Sequence, residues 1–275
     1  AASATAHLLA RDHHASISAA PAAAVARDGS AIAWLEGAAI AVRVANLQSY
    51  LPAPPDAVEL AVASAGRAVA VIDRGGGVWL INGAGAPARA LGTIAMNPTA
   101  TRMPGDLGRV LAFAEDESII VAMAWPVGGA AWQRDGTRVT PEGCSGIAAS
   151  ADGRWLTFKH DATLVLRDRQ RGRDRVLEDT SGWRELRFDP RGRWLAATSP
   201  SSAEIELWDL TSDQHLALTG HGAIVRAIEF GDGLLASTGD DATARVWDLA
   251  RVAQLGAAFE PGGASGVART MALGS

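Results

Sequence analysis

The chain has 275 residues, 20% of them charged, a formal net charge of −5 and a single cysteine, Cys144. This moderate, slightly acidic charge excludes a disordered polyelectrolyte and a protein whose whole surface binds nucleic acid. One cysteine excludes an internal disulfide and a cysteine-cluster metal site. No apolar run approaches the roughly 18 residues of a membrane-spanning helix, so we predict no membrane association and a cytoplasmic location.

A short turn recurs along the whole chain. Its copies are Arg27–Ser30, Ser64–Arg67, Glu115–Ser118, Ala151–Arg154, Pro190–Arg193 and Gly231–Leu234. Most steps between copies are close to about 40 residues, a period typical of a four-stranded propeller blade. The longer step between the second and third copies indicates an insertion around Gly92–Gly105.

Short apolar or alternating segments flank each turn, as in Leu186–Phe188, Trp194–Ala197 and Ile205–Leu207. Such segments between turn residues are signals of β-strands. Helical repeats are the rival interpretation because alanine favours helix, but Gly, Pro and Asp interrupt the pattern every eight to twelve residues, roughly the spacing of strands in an all-β fold. The sequence therefore predicts an all-β chain of antiparallel blades.

At Gly220–Leu249 the pattern becomes specific: a Gly-His pair, a strand, an Asp-Gly turn, LeuLeuAlaSerThrGlyAspAsp and AlaThrAlaArgValTrpAspLeu. This segment resembles a WD repeat, and GluLeuTrpAspLeu at 206–210 is similar to the end of a second copy. Lys159 is the only lysine, which together with the abundant Ala and Gly suggests a GC-rich bacterial source. The chain thus resembles the bacterial WD-repeat β-propeller family.

The resemblance implies a seven-bladed propeller of four-stranded antiparallel blades, incomplete in this chain. We expect one β-propeller domain over residues 1–275, as part of a longer protein. Its blades would span residues 15–50, 56–92, 105–142, 143–179, 181–219 and 220–258, with a seventh starting at 264–275 and residues 5–11 as its closing strand.

The resemblance also implies a structural hydrogen-bond network within each blade. In the last complete repeat its members are His221, Ser237 or Thr238, Asp241 and Trp247. Asp73 precedes Trp79 by the same six residues that separate Asp241 from Trp247, and Asp161 keeps this spacing although Arg167 replaces the tryptophan. Trp208 completes the expected set.

The combination of Ser, His and Asp superficially resembles a hydrolytic triad. Each member, however, falls on its repeat position, and the sequence has no Gly-X-Ser-X-Gly nucleophile elbow. We therefore expect a structural network, no catalytic residues, no cofactor and no metal site.

A partial set of arginines marks the expected partner-binding face. Arg109, Arg184, Arg226 and Arg269 each stand four residues before the last large apolar residue of a first strand, whereas the first two repeats have Pro21 and Val58 there. The resemblance places this position, together with Asp240 and His160, on the top face. Converging guanidinium groups favour a carboxylate- or phosphate-bearing partner.

These features predict a non-catalytic scaffold or sensor module that docks a protein or peptide partner, acidic in character, on the top face. Two alternatives stay open: a small-ligand sensor or enzyme that uses the central channel, and a structural spacer in a multidomain protein with an effector domain in the same polypeptide. Nucleic acid is a disfavoured partner, because the arginine-rich segment Arg167–Arg175 lacks aromatic residues for base stacking.

Overall fold

The structure, a computed structural model, describes residues 22–83, 85–95, 109–114, 116–124, 128–161, 163–177 and 185–255. The statements below concern these residues. Of Arg109, Val110 and Ala124 it describes only the backbone. The expected seventh blade, at 264–275 with 5–11, lies outside the described residues.

Six antiparallel sheets follow one another along the described chain, and each is built from strands adjacent in sequence. The first sheet contains β1 (Ala23–Val25), β2 (Ala31–Glu36), β3 (Ala39–Val44) and β4 (Leu47–Pro52). The second contains β5 (Ala57–Val62), β6 (Val69–Asp73), β7 (Gly77–Ile81) and β8 (Arg89–Thr93), with the 3₁₀ turn Ser64–Gly66 between β5 and β6. The third has three strands, β9 (Arg109–Phe113), β10 (Ile119–Ala124) and β11 (Gly128–Gln133).

The remaining three sheets again have four strands each. The fourth contains β12 (Ser145–Ala149), β13 (Trp155–His160), β14 (Thr163–Asp168) and β15 (Arg173–Leu177). The fifth contains β16 (Glu185–Phe188), β17 (Trp194–Thr198), β18 (Ile205–Asp209) and β19 (His215–Leu218). The sixth contains β20 (Val225–Phe230), β21 (Leu234–Gly239), β22 (Ala244–Asp248) and β23 (Ala253–Gln254). Within the described ranges there is no α-helix, so the predicted all-β fold is confirmed. Five of its antiparallel sheets have the predicted four strands, and the third has three in the described residues.

The chain divides into two compact units, Ala1–Ile147 and Ala148–Ser275. In the first unit, apolar side chains pack between the first and second sheets, around Ile40 and Val71, and between the second and third, around Leu80 and Trp132. In the second unit, similar cores join the fourth sheet to the fifth and the fifth to the sixth. Each sheet thus buries its apolar positions against its neighbour in sequence. The division of the chain into blades as given above stays a prediction.

The recurring turn has a left-handed third residue in all six copies. Its third residue has a positive φ at Gly29, Gly66, Glu117, Gly153, Gly192 and Gly233. Glycine adopts this left-handed region at little cost, whereas another residue pays roughly 1 kcal/mol or more. Glu117 is the exception, and its carboxylate accepts a 2.5 Å hydrogen bond from the Ser64 N–H of the preceding turn. The side chain that strains the turn thereby joins it to the neighbouring one.

A β-bulge interrupts the first strand of two sheets. In β20 the register moves from Val225 opposite Gly239 to Ala227 opposite Thr238, which leaves Arg226 as the extra residue. In β5 the register moves from Ala57 opposite Asp73 to Glu59 opposite Ile72, which leaves Val58 as the extra residue. Bulges re-aim a side chain without ending the sheet. Val58 and Arg226 are the positions that the repeat alignment matches to each other.

The fourth and fifth sheets each contain an arginine clamp, in which an arginine lies over a tryptophan ring and donates to a buried aspartate. The Arg154 guanidinium lies 4.6 Å from the Trp155 ring centre and donates to the Asp168 carboxylate at 2.8 Å. One repeat later, the Arg193 guanidinium lies 4.7 Å from the Trp194 ring and donates to Asp209 at 2.9 Å.

Both aspartates of these clamps are buried and end the third strand of their sheet. The hydrogen bond from Arg154 lowers the pKa of Asp168 against the opposing effect of burial. Burial raises the pKa of Asp209, but hydrogen bonds from Thr211 and Arg193 outweigh it and leave that pKa below its ordinary value. Each buried carboxylate therefore remains charged because the arginine of the preceding turn reaches it.

We predict that Arg193→Met lowers the free energy of unfolding by about 1–3 kcal/mol, because it removes a hydrogen bond to a buried charge. Arg191→Met, in the same turn, is the matched control. Arg191 pairs with Asp232, but both side chains are mostly exposed, and such a pair contributes at most about 1 kcal/mol. Urea unfolding of both variants measures the difference, and equal losses would refute a structural role for the clamp.

Candidate functional site

A directed chain of hydrogen bonds crosses the sixth sheet. The Trp247 indole N–H donates to Ser237 Oγ at 2.9 Å, and Ser237 Oγ lies 2.8 Å from His221 Nε2. His221 Nδ1 lies 2.9 Å from Asp241 Oδ2. Thr243 Oγ1 donates to Asp241 Oδ1 at 2.9 Å. The structure therefore brings together His221, Ser237, Asp241 and Trp247, and it uses the hydroxyl of Ser237 rather than that of Thr238.

The neutral form of His221 sets the direction of this relay. An indole nitrogen can only donate, so Ser237 Oγ accepts from Trp247. His221 donates its Nδ1 proton to the Asp241 carboxylate, and in the neutral imidazole Nε2 then accepts the O–H of Ser237. A second proton, on Nε2, would instead make Ser237 Oγ accept twice and turn its own O–H away from the imidazole. A relay that runs in one direction from Trp247 to Asp241 therefore requires a neutral histidine.

Burial and hydrogen bonding tune the two titratable members in the same sense. Burial lowers the pKa of His221, against the raising effect of the Asp241 carboxylate, and the net shift is downward. Burial raises the pKa of Asp241, but hydrogen bonds from Gly222 and Thr243, aided by His221, bring it to about 2. At neutral pH the relay therefore joins an uncharged imidazole to a carboxylate anion.

The relay has the connectivity of a Ser-His-Asp triad but lies inside the sheet. Ser237 and the His221 side chain have no exposed surface, and the serine oxygen is already held by Trp247. A nucleophile must reach its substrate and needs oxyanion donors near it. Its position fits the structural interpretation of these residues.

The second sheet uses a shorter version of the same device. Trp79 lies opposite Val71, just as Trp247 lies opposite Leu235, so Asp73 occupies the register position of Ser237. The Trp79 indole donates directly to Asp73 Oδ2 at 2.9 Å, and the Gly77 N–H donates to Oδ1 at 2.8 Å. The equal six-residue spacing had matched Asp73 with Asp241, and that equivalence was wrong because the turn between the strands is shorter here.

The fourth sheet has no such relay at its expected residues. Arg167 lies opposite Leu156 in the register position of the tryptophan, and its guanidinium lies 5.2 Å from the Phe158 ring. The Asp161 side chain is 89% exposed, so it does not join a buried network. The expectation for Asp161 was wrong because it lies on the outer side of a tight turn with a positive φ of 54°.

In the fifth sheet, Trp208 keeps its register position opposite Leu195 but meets a different neighbourhood. Ala197 occupies the place that Ser237 has in the sixth sheet, so the serine hydroxyl of the relay is missing. The Trp208 ring instead stacks on His215 with a centroid distance of 4.9 Å. The inclusion of Trp208 in a hydrogen-bond network stays a prediction, and the contact described for its ring is the stacking on His215.

The expected partner-binding residues are described only in part. Arg226 donates from Nε to Asp240 at 2.5 Å and from Nη2 to the second carboxylate oxygen. The hydrogen bond from Arg226 to Asp240 raises the pKa of the arginine. His160 is partly exposed and lies 3.8 Å from Asp161. The Arg109 side chain, Arg184 and Arg269 lie outside what the structure describes.

Sequence reasoning missed the two arginine clamps. The signal was the repeated tetrapeptide GlyArgTrpLeu at 153–156 and 192–195, each followed by a strand ending in Asp. The Arg226–Asp240 pair was also missed, although both residues had been assigned to one face. Its formation depends on the bulge at Arg226, which no periodicity reveals.

One cavity of about 300 Å³ lies in the first unit, next to Cys144. Its charged lining residues are Arg138 and Glu142, whose side chains lie 3.8 Å apart as an ion pair. Among the described residues no cluster of three or more His, Cys, Asp or Glu is placed to hold a metal ion. No helix in the described ranges is long and apolar enough to span a bilayer.

We predict that Ser237→Ala lowers the free energy of unfolding by about 1–3 kcal/mol, because it leaves the Trp247 N–H and His221 Nε2 buried without their common partner. Ser49→Ala, at an exposed site on β4, should change it by less than about 0.5 kcal/mol. Chemical denaturation of both variants tests this. A Ser237→Ala protein as stable as the Ser49→Ala control would refute the relay.

The relay also predicts a pH dependence. Because the pKa of His221 is lower in the folded than in the unfolded chain, the folded state binds fewer protons. Stability should therefore fall as the pH drops below about 6.5, the ordinary histidine value. Nitrogen NMR, assigned with a His221→Gln spectrum, should show the Nδ1–H form at pH 7 and a midpoint below that value. A midpoint above it would contradict the proposed proton arrangement.

Comparison with known protein families identifies a sequence repeat that contains these residues. Residues 213–248 match the family model described as WD domain, G-beta repeat. The matched segment contains β19 to β22 and all four relay residues, His221, Ser237, Asp241 and Trp247. The relay thus belongs to the repeat that the family model recognises.

Three curated fungal proteins are similar over short stretches. They are the CCR4-associated factor 4 homolog of Candida glabrata (45% identical over 58 residues), Mitochondrial division protein 1 of Pyricularia oryzae (39% over 66) and Nuclear distribution protein nudF 2 of Penicillium rubens (42% over 59). The matches cover 20%, 23% and 21% of this chain and 10%, 10% and 13% of those proteins. They give no support to the expected bacterial source. What the comparisons show is a WD repeat at residues 213–248, carried by a chain of repeated antiparallel sheets.

Proposed function

We propose that this chain is a non-catalytic interaction module that docks a protein partner. The observation that carries the proposal is the burial of the Ser237–His221–Asp241 relay. These residues have the connectivity of a hydrolytic triad, but their side chains hold strands together inside the sheet. The described surface instead presents charged side chains on a scaffold of β-sheets.

The similarity to WD-repeat proteins supports the same function. WD repeats generally mediate interactions between proteins, and one relative is named as an associated factor. We extend this role to the present chain, with a partner of acidic character that meets the arginine-bearing face. The cytoplasmic location, the bacterial source, the sensor role and an effector domain in the same polypeptide are parts of this proposal that rest on the sequence alone.

The Arg226–Asp240 pair modifies the expected binding face. Asp240 neutralises the charge of Arg226, so this position presents a mixed pair instead of a lone cation. An acidic group on this face would then depend mainly on Arg109, Arg184 and Arg269. A carboxylate of the partner could also replace Asp240 on Arg226, since the guanidinium donates in the same bidentate geometry to any carboxylate acceptor.

Affinity capture from lysate of the source cells, treated with nuclease, tests the proposal. The bait is the wild-type chain, a variant with Arg109, Arg184, Arg226 and Arg269 changed to Glu, and a matched control. The control changes four other arginines to Glu, namely Arg43, Arg67, Arg191 and Arg251, whose side chains are exposed. Melting curves first establish that all three baits are folded.

The expected result is a specific protein retained by wild type and control and lost from the first variant. Equal retention by all three would remove the arginine face while leaving a docking role. If wild type retains nothing beyond blank beads, the proposed function is wrong and a spacer role gains support.

A serine-directed fluorophosphonate probe gives a direct check of the non-catalytic assignment. We expect no labelling of the native chain, because Ser237 has no exposed surface and its hydroxyl is directed to His221 within the sheet. Mass spectrometry of the treated protein detects any adduct. Stoichiometric labelling of Ser237 in the folded protein would refute the assignment.

A further inference from the structure

The outer edge of the fourth sheet is an open strand. In the described part of the chain the sheet runs β12-β13-β14-β15, and no strand pairs with the far side of β15. The strand is not covered by side-chain packing either, because Arg173, Asp174 and Val176 are exposed. An open edge presents unpaired N–H and C=O groups that can pair with another extended segment.

This edge is strongly basic although the chain as a whole is acidic. Residues 167–176 contain five arginines and two aspartates, a net charge of +3, against −5 for the chain. Among the described outer strands β4, β8, β11, β15, β19 and β23, only β15 contains more than one cationic residue. A positive edge of this kind attracts acidic partners.

Part of this charge is neutralised within the protein. Arg167 donates to Asp174 from both Nε and Nη2 at 2.6 Å, and Arg175 pairs with Asp213. Asp168 is buried and held by Arg154. The positive charge that is not neutralised in this way lies near the start of β15. The Arg171 side chain, just before the strand, is 68% exposed, and its Nε lies 3.9 Å from Asp168 Oδ2.

Arg173 is the cation best placed to meet a partner. It is exposed, lies at the first position of β15, and forms no ion pair with any described residue. Side chains alternate between the two faces of a strand, so Arg173 and Arg175 point to one face and Asp174 and Val176 to the other. Val176 is 61% exposed, an unusual position for a valine that lies opposite Val165.

We propose that the edge of β15 binds an extended acidic segment of a protein partner by strand addition. The segment alternates acidic and apolar residues: its carboxylates face Arg173 and, in competition with Asp213, Arg175, and an apolar side chain covers Val176. Main-chain hydrogen bonds supply affinity and the alternating side chains supply specificity. This inference rests on the proposed docking role. It assigns that role a surface different from the expected top face that carries Arg226.

The competing explanation is that the arginines protect the edge against unwanted pairing, which is a common use of charge on edge strands. The two explanations differ in what an acidic strand does. A protective edge repels neutral and basic strands and has no site for an acidic one. A binding edge requires both the charge and the peptide backbone of its ligand.

Fluorescence anisotropy with a short labelled peptide of alternating glutamate and valine tests the proposal on the full chain. Two control peptides accompany it: one with lysine in place of glutamate, and one with the same side chains but N-methylated at alternate backbone nitrogens. The protein variants are Arg173→Glu and the matched control Arg251→Glu, which reverses an exposed charge on the sixth sheet. Arg173→Lys tests whether charge alone is sufficient at that position.

We expect saturable binding of the glutamate peptide to wild type and to Arg251→Glu, and binding about tenfold weaker to Arg173→Glu, since attraction becomes repulsion across the strand pair. Arg173→Lys should bind nearly as well as wild type, and both control peptides should bind poorly. No binding, or binding that survives N-methylation or Arg173→Glu unchanged, overturns the strand-addition proposal.

This outcome is separable from the capture experiment. A partner retained by the wild-type bait without any edge-dependent peptide binding would refute only the present inference. A bait that captures nothing would refute the docking role, whatever the peptide does.

Discussion

The indole N–H of Trp247 can only donate, and the hydrogen bonds of the sixth sheet start from this constraint. Its proton makes Ser237 Oγ an acceptor, and because burial keeps His221 neutral, the serine proton is donated to Nε2 and the histidine proton to Asp241. These hydrogen bonds connect Ser237 of β21 and Trp247 of β22 to two residues outside the strands. His221 precedes β20, and Asp241 lies in the turn between β21 and β22. Because every member is buried or nearly so, the loss of one leaves the others without partners in a low-dielectric interior.

The other sheets show how this constraint is relaxed. Asp73 takes the register position of Ser237 and receives the indole proton of Trp79 directly, which shortens the chain to one bond. In the fifth sheet Ala197 occupies that position, and the fixed element is instead the pair Arg193 and Asp209 at the other end of the same strands. The strands thus pair in a similar way in these sheets, whereas the polar side-chain contacts that connect them lie at opposite ends of the strands.

The sequence predicted the fold well because strand periodicity and turn chemistry are local. The third residue of all six recurring turns has a left-handed backbone: five are glycines, and Glu117, the sixth, adopts it as well. Residue spacing was a weaker guide to the network, since counting along the chain ignores turn length. Asp73 and Asp241 share a spacing but not a register, and Asp161 shares the spacing yet lies in solvent.

Pairings made by long side chains were beyond the sequence for a different reason. The Arg226–Asp240 pair and the arginine clamps depend on where flexible guanidinium groups come to rest between a ring and a carboxylate. The repeated GlyArgTrpLeu segments marked the clamp arginines, but their aspartate partners lie one or two strands away. Such contacts are set by cross-strand geometry, which a one-dimensional pattern does not contain.

At the bulges at Val58 and Arg226, the residue type can change without disturbing the packing of either face of the sheet. In a regular strand, every side chain belongs either to the core face or to the solvent face, so a change of residue type disturbs the packing of one of them. The extra residue of a bulge lies outside that alternation. The residue at this position can therefore be apolar in one blade and cationic in another with little effect on the strand pairing on either side. Substitutions at this position can thus change the surface of a blade without changing its fold.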